Sequence, residues 1–173
     1  MAVHNYADSH MDSLPAAAVN KDGKPLLSWR VMILPYINED ALFREFHLDE
    51  PWDSPHNIKL LGRMPKIYQP FRGKKDNPPN TTPYRVFVGK NTPFGEKVSL
   101  KEISSTKVMA LESAEPVPWT KPDELEFDPN RRLPKLGLTE DQVFLAFFNG
   151  SVEHLPKPLD ESKFRKMIQL RDE

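Results

Sequence analysis

Five side chains of metal-ligating types fall within ten consecutive residues in the first third of the chain. They are His47, Asp49, Glu50, Asp53 and His56, and Trp52 lies among them. Carboxylate oxygens suit calcium or magnesium and imidazole nitrogens suit zinc, so such a cluster could in principle hold a divalent ion. The spacing matches neither the HExxH motif nor the EF-hand loop, and a metal-dependent hydrolase is therefore one hypothesis among several.

The same loop has a structural interpretation, which we favour. Asp49 and Asp53 would cap local turns, Trp52 would anchor the loop in the core, and His56 would lie in the first turn of the next helix. We therefore assign no metal ligand and no cofactor. The candidates that remain for a metal site are His47, Asp49, Asp53 and His56.

Other catalytic patterns are missing from the sequence. It contains no GxSxG nucleophile elbow and no glycine-rich phosphate loop, and Ser151 follows a hairpin turn at Asn149 and Gly150 rather than a strand-to-helix turn. Glu112 and Glu115 could do acid–base chemistry only if their environments separated the two pKa values. We interpret them as the end of a strand that leads into a proline-rich loop, and we nominate no catalytic residue.

Tryptophan supplies the second kind of candidate site. Trp52 and Trp119 could stack on sugar rings, which would make the protein a carbohydrate-binding or extracellular polymer-handling module. The alternative, which we favour, is that these indoles and that of Trp29 fill the core and fasten short segments to it.

Composition narrows the classes of function. The 24 basic and 25 acidic side chains form no long run of one sign, which argues against nucleic acid as a partner. Arg72, Lys74 and Lys75 form one short basic group that we interpret as a solvated loop. The chain has no cysteine and therefore no disulfide or thiolate site. It contains 18 prolines in 173 residues, so its helices and strands must be short.

Local patterns predict short helices in the first half of the chain. Residues 2–9 could form a helix, and residues 20–24 read as a turn. Ser28 is a good N-cap for a helix that Pro35 limits. Asn38 would start a second helix that buries Leu42, Phe43 and Phe46, and Ser54 would cap a third. The predicted buried positions of the third helix are Ile58, Leu60, Leu61 and Met64.

Strands are predicted mainly in the second half. Residues 84–89 and 107–112 have strand character, and residues 68–83 read as a loop. Ser99 begins a capping box, and residues 143–155 predict a hairpin with a two-residue turn at Asn149 and Gly150. Residues 160–170 are predicted to form an amphipathic helix with Leu159, Phe164, Met167 and Ile168 inward. Together these patterns predict one α+β domain over residues 1–173, with short helices on a small antiparallel sheet and long, ordered, proline-rich loops.

Three stretches resemble a bacterial family, domain of unknown function 1559 (DUF1559). They read LSWRV and LPYI at residues 27–31 and 34–37, FHLDEPWDSPHN at residues 46–57, and EPVPWTKP at residues 115–122. The family usually has Asp-Gly-Ser-Val where this chain has Asn149-Gly150-Ser151-Val152. Since Asn and Asp both tolerate left-handed backbone, this difference indicates a turn rather than a carboxylate site.

The resemblance implies a type IV pilin-like or type II secretion pseudopilin-like protein. Members of the family often carry a prepilin-like hydrophobic helix at the amino terminus, and this sequence contains no apolar run long enough to span a bilayer. The implied protein is a non-enzymatic head, periplasmic or at the cell surface, that assembles with like subunits or binds protein partners. Contact with a membrane would come only through an amino-terminal helix that this sequence lacks. The resemblance also leaves room for structural calcium, with no ligands assigned.

Overall fold

The structure is a computed structural model that describes residues 1–70 and 77–171. The helices are α1 (Ala2–Ser9), α2 (Trp29–Met32), α3 (Asp40–Phe43) and α4 (Glu161–Ile168). Short 3-10 helices cover Leu34–Ile37, Asn57–Arg63, Lys66–Tyr68 and Leu100–Glu102. The basic group of Arg72, Lys74 and Lys75 lies outside the described residues.

The main sheet has four antiparallel strands in the order β3 (Thr81–Arg85), β5 (Val108–Pro118), β7 (Gln142–Phe147) and β8 (Val152–Pro156). β1 (Ala18–Val19) pairs antiparallel with β2 (Pro25–Leu27). β4 (Phe87–Val88) pairs with β6 (Leu125–Glu126) in parallel. The predicted α+β class with a small antiparallel sheet is confirmed, and the sequence did not indicate the short parallel pair.

The core consists of two apolar clusters. One gathers the helices of the first half around Trp119, which contacts Tyr68 and Phe46 with ring centroids 5.7 and 5.8 Å apart. The other lies between the sheet and α4, where Phe164 and Ile168 are buried as predicted. Among the residues that the structure describes, no helix has both the length and the apolar character needed to cross a membrane.

The helix caps follow the sequence closely. The Ser28 hydroxyl accepts a hydrogen bond from the Arg30 amide, and Ser99 and Glu102 form the predicted capping box. Two expectations were wrong. Asn38 adopts left-handed backbone (φ 63°), so α3 starts later, at Asp40. The third helix is a 3-10 helix in which Ile58 is exposed, because its three-residue turn does not keep the predicted α-helical positions on one face.

Two strands are longer than predicted. β3 starts at Thr81, inside the predicted loop, and β5 runs on to Pro118 through part of the predicted proline-rich loop. This part of β5 pairs with β3 at Thr82↔Val117, whereas its pairing with β7 ends at Leu111↔Leu145. Proline is tolerated there because, among the described residues, none pairs with the other edge of β5 beyond the bridge between Ser113 and Leu136.

The hairpin between β7 and β8 is confirmed, but its turn is not the predicted two-residue type. The Phe147 amide donates to the Ser151 carbonyl, and the Gly150 amide donates to the Phe147 carbonyl, which leaves three residues in the loop. Gly150 has left-handed backbone (φ 85°), while Asn149 does not. The Asn149 side chain instead accepts from the Ser151 amide at 2.8 Å. This is the three-residue hairpin in which glycine takes the left-handed position.

Candidate functional site

The loop that carries the histidines and carboxylates is organised by Asn57, which is fully buried. Its Oδ1 accepts from the His47 amide at 3.0 Å, and its Nδ2 donates to the His47 carbonyl at 2.9 Å. The same Nδ2 lies 3.2 Å from the carbonyl oxygens of both Glu50 and Pro51. One neutral amide therefore binds the backbone of the loop at several points, and no ion is needed to hold the loop closed.

The two histidines of this loop stack on each other. Their ring centroids are 3.5 Å apart and their planes are almost parallel, at 4°. His47 Nδ1 lies 2.9 Å from Glu50 Oε1, and His56 Nε2 lies 2.7 Å from the Glu45 carbonyl. The hydrogen bond with His47 lowers the pKa of the Glu50 carboxyl. Each ring therefore has one nitrogen in a hydrogen bond within the chain.

Asp49 and Asp53, the other two candidate ligands, are exposed. Within residues 1–70 and 77–171, no three His, Asp or Glu side chains are grouped so that they could hold a metal ion. The structure thus keeps His47 and His56 together but does not complete a coordination shell around them from the residues it describes.

The two tryptophan candidates, Trp52 and Trp119, differ in burial. Trp119 is fully buried, and its Nε1 donates to the Leu61 carbonyl at 2.9 Å. Tyr68 stacks on its ring and Phe46 contacts it in a T-shaped arrangement, and because the side chain is fully buried, Trp119 has no exposed face on which a sugar could stack in this structure. Trp29 is also buried. Trp52 is partly buried against the first cluster, and its amide donates to the Leu26 carbonyl at 2.9 Å, which ties the loop to β2.

Arg30 is a fully buried charge that the sequence did not single out. Its guanidinium donates to the carbonyl oxygens of Trp119, Tyr84 and Lys121, each at 2.9 Å. Its Nη1 also lies 3.0 Å from Glu124 Oε1. Burial lowers the pKa of the Arg30 guanidinium, and the Glu124 carboxylate opposes that effect. With these contacts the group is saturated, so we interpret Arg30 as a structural tie between α2, β3 and the segment after β5.

A second charged side chain reinforces the same segment. Arg85 donates from Nε to the Asp123 carbonyl at 2.9 Å and from Nη2 to Asp123 Oδ1 at 2.6 Å. Glu124 Oε2 accepts from the Val86 amide at 2.9 Å. We call the group of Arg30, Arg85, Asp123 and Glu124 the arginine centre. Its side chains hold backbone from residues 84–86 and 119–124, which explains why charges are buried here.

A groove of about 570 Å³ opens on the opposite side of the sheet from α4. Its floor is formed by β3, β5, β7 and β8, and its walls by the start of α1, by α2 and by the 3-10 helix Lys66–Tyr68. The lining is almost entirely apolar, and three of its side chains are well exposed: Met1 at 85%, Ile67 at 61% and Val152 at 69%. Apolar surface of this kind commonly marks an interaction site.

One carboxylate interrupts the apolar floor. Leu111 of β5 and Leu145 of β7 are partners in the sheet and pack in the cluster with α4, so their neighbours Glu112 and Phe144 lie on the groove face. Glu112 is only 4% exposed, and burial raises the pKa of its carboxyl. Glu115, three positions along the strand, is exposed. The structure therefore places these two carboxyls in different surroundings.

A model of a protein family described as "Protein of unknown function (DUF1559)" matches residues 1–97. The chain belongs to the DUF1559 family. No curated protein and no solved structure matches it. The part of this DUF1559 chain that the family model covers includes Arg30, Asn57 and the histidine pair, whereas Glu112 and Glu124 lie beyond it.

In this DUF1559 protein sequence reasoning missed the burial of Arg30 and the position of Glu112 in the groove lining. Arg30 lies between Trp29 and Val31 in a short helix, and nothing in that spacing distinguishes it from a solvated arginine. Glu112 had a usable signal, because it is a charged residue at the end of the apolar run at residues 107–112. A charge at the end of a buried strand run warrants a search for its partner.

Proposed function

We propose that this chain is a non-enzymatic, pilin-like head that works by packing against another polypeptide, either a like subunit or a different protein partner. The observation that carries the proposal is the apolar groove, with Met1, Ile67 and Val152 exposed along it. Exposing large apolar side chains to water is unfavourable, and burying them in an interface recovers that free energy. The resemblance to pilin-like proteins supports assembly as the context.

The proposal places the head in the periplasm or at the cell surface. Its support is the resemblance to exported pilin-like proteins. Fractionation of native cells with an antibody to the chain tests the location, and recovery only from the cytoplasmic fraction would contradict it.

Cross-linking in native cells tests the interaction itself. A photoreactive amino acid in place of Val152 should give an adduct of polypeptide mass, because this side chain lies at the groove. The matched control is the same substitution at Val19, which is 55% exposed but does not line the groove. Ile67→Lys, a change at an exposed groove position, should abolish the Val152 adduct. Equal adducts at both positions, or none at Val152, would count against the proposal.

We do not propose carbohydrate binding or metal-dependent hydrolysis, because no specific observation favours either. Trp119 is buried, and the histidine pair is satisfied by contacts within its own loop.

A further inference from the structure

Of the described residues that line the groove, only Glu112 carries an acidic side chain. The charge of Lys157 opposes the effect of burial on Glu112, but the pKa of the Glu112 carboxyl is still raised, and Lys157 Nζ donates to the Thr139 carbonyl at 2.7 Å. Among the described residues, no ion pair or hydrogen bond stabilises the Glu112 carboxylate, and only burial and the charge of Lys157 shift its pKa. Carboxylates are almost never this buried unless they are paired.

An uncompensated carboxylate in an apolar cleft selects what can bind beside it. An occupant with only apolar side chains would cover the charge and increase its desolvation cost. An occupant with a second carboxylate would add repulsion. An occupant that brings a cation to Glu112 would neutralise the charge while its apolar side chains fill the rest of the groove.

We infer that the groove binds an apolar polypeptide segment that carries one basic side chain, and that this side chain pairs with the Glu112 carboxylate. The inference rests on the proposed function, because both use the same groove, and it adds the chemistry of the partner. A groove of about 570 Å³ is of a size to accept a short segment rather than a whole domain face.

Synthetic peptides test the chemistry directly. Three peptides, each of alternating Leu and Ser with blocked ends, would differ only at the centre, which is Lys, Gln or Glu. Calorimetric titration into the full chain should show the Lys peptide binding about tenfold or more tightly than the Gln peptide, since truncation of one member of a buried charge pair is costly. The Glu peptide should bind most weakly.

Two variants assign the preference to Glu112. Glu112→Gln should bind the Lys and Gln peptides equally, while Glu115→Gln, on the same strand but exposed, should keep the original preference. Circular dichroism and urea unfolding would establish that both variants are folded. Ile67→Lys should weaken all three peptides, because it disrupts the apolar wall rather than the charge.

The outcomes separate this inference from the proposed function. Equal binding of Lys and Gln peptides to the original chain, or a Lys preference that survives in Glu112→Gln, would overturn the pairing while leaving the groove as an interaction site. Failure of all three peptides to bind, when the Val152 cross-link does form, would likewise overturn the pairing and leave the groove as an interaction site. If the chain dimerises through the groove equally well with and without Glu112, a second copy held by apolar contacts is the occupant and the inference fails.

Discussion

The arginine centre and the groove each bury a charged side chain, but they treat the charge differently. Arg30 is fully enclosed and meets three carbonyl oxygens and the Glu124 carboxylate. Glu112 is 96% withdrawn from water, and none of the described residues pairs with it. A buried charge that the chain satisfies itself holds the fold together, whereas one left uncompensated lowers stability and points to a surface that binds something else.

Arg30→Met is expected to have the largest effect on stability. The variant leaves Glu124 buried without its cation and leaves three carbonyls without a donor, so we expect the free energy of unfolding to fall by about 3–5 kcal/mol. Urea denaturation followed by fluorescence measures it. The control Arg44→Met removes an exposed pair with Asp40 and should cost no more than about 0.5 kcal/mol. Similar losses in the two variants would refute the structural role of Arg30.

Asn57 is a neutral polar group that, like Arg30, is buried and hydrogen-bonded within the chain. Asn57→Ala should lower the free energy of unfolding by about 2 kcal/mol, because buried backbone groups of the histidine loop lose their partners. Asn57→Asp keeps the acceptor for the His47 amide but cannot donate to the carbonyls, so it should be at least as harmful. The measurement is again urea denaturation. An unchanged free energy of unfolding in either variant would contradict the role of Asn57 in holding the loop.

Glu112→Met is expected to act in the opposite direction. It replaces an uncompensated carboxylate by an apolar side chain of similar length, so we expect a gain of about 1 kcal/mol in the free energy of unfolding at neutral pH. The control is Glu115→Met, exposed on the same strand, which should change stability by less than about 0.5 kcal/mol. A loss of stability in Glu112→Met would show that the carboxylate is satisfied after all.

The pH dependence of the same site provides the smallest effect. Because burial raises the pKa of Glu112, the unfolded chain ionises at this residue first as the pH rises. The cost of the charge is absent below the ordinary pKa of a glutamate and complete above the raised pKa. The stability advantage of Glu112→Met should therefore grow between acidic and neutral pH. Urea unfolding of both proteins across that range measures it. A stability advantage that shrinks toward neutral pH would contradict a raised pKa of Glu112.

Local sequence predicted the parts of the fold that depend on neighbouring residues. Ser28 and Ser99 cap helical turns as expected, and α4 follows its N-cap Asp160 with Phe164 and Ile168 inward. These features depend on hydrogen bonds and periodicity within a few residues. The length of β5 was not predictable in this way, because its proline-containing end is held by distant β3.

The candidate site was harder to predict. The sequence drew attention to the histidine and carboxylate cluster because those residues are close along the chain, but the structure shows them tied to one another and to Asn57. The groove is assembled from α1, α2, the 3-10 helix Lys66–Tyr68 and four strands. Residues so far apart in sequence have no spacing that could reveal their contact.

The sequence by itself determined the α+β class, the short elements and the main hairpin, since periodicity, capping residues and proline act between neighbouring residues. Membership of DUF1559 follows from the match of residues 1–97 to the family model. Only the tertiary structure decided which charges are satisfied. Arg30 and Glu112 each follow a large apolar residue in sequence. Their surroundings differ because the carbonyls and carboxylate around Arg30 come from positions 54 to 94 residues away, whereas none of the described residues forms a hydrogen bond or ion pair with the Glu112 carboxylate.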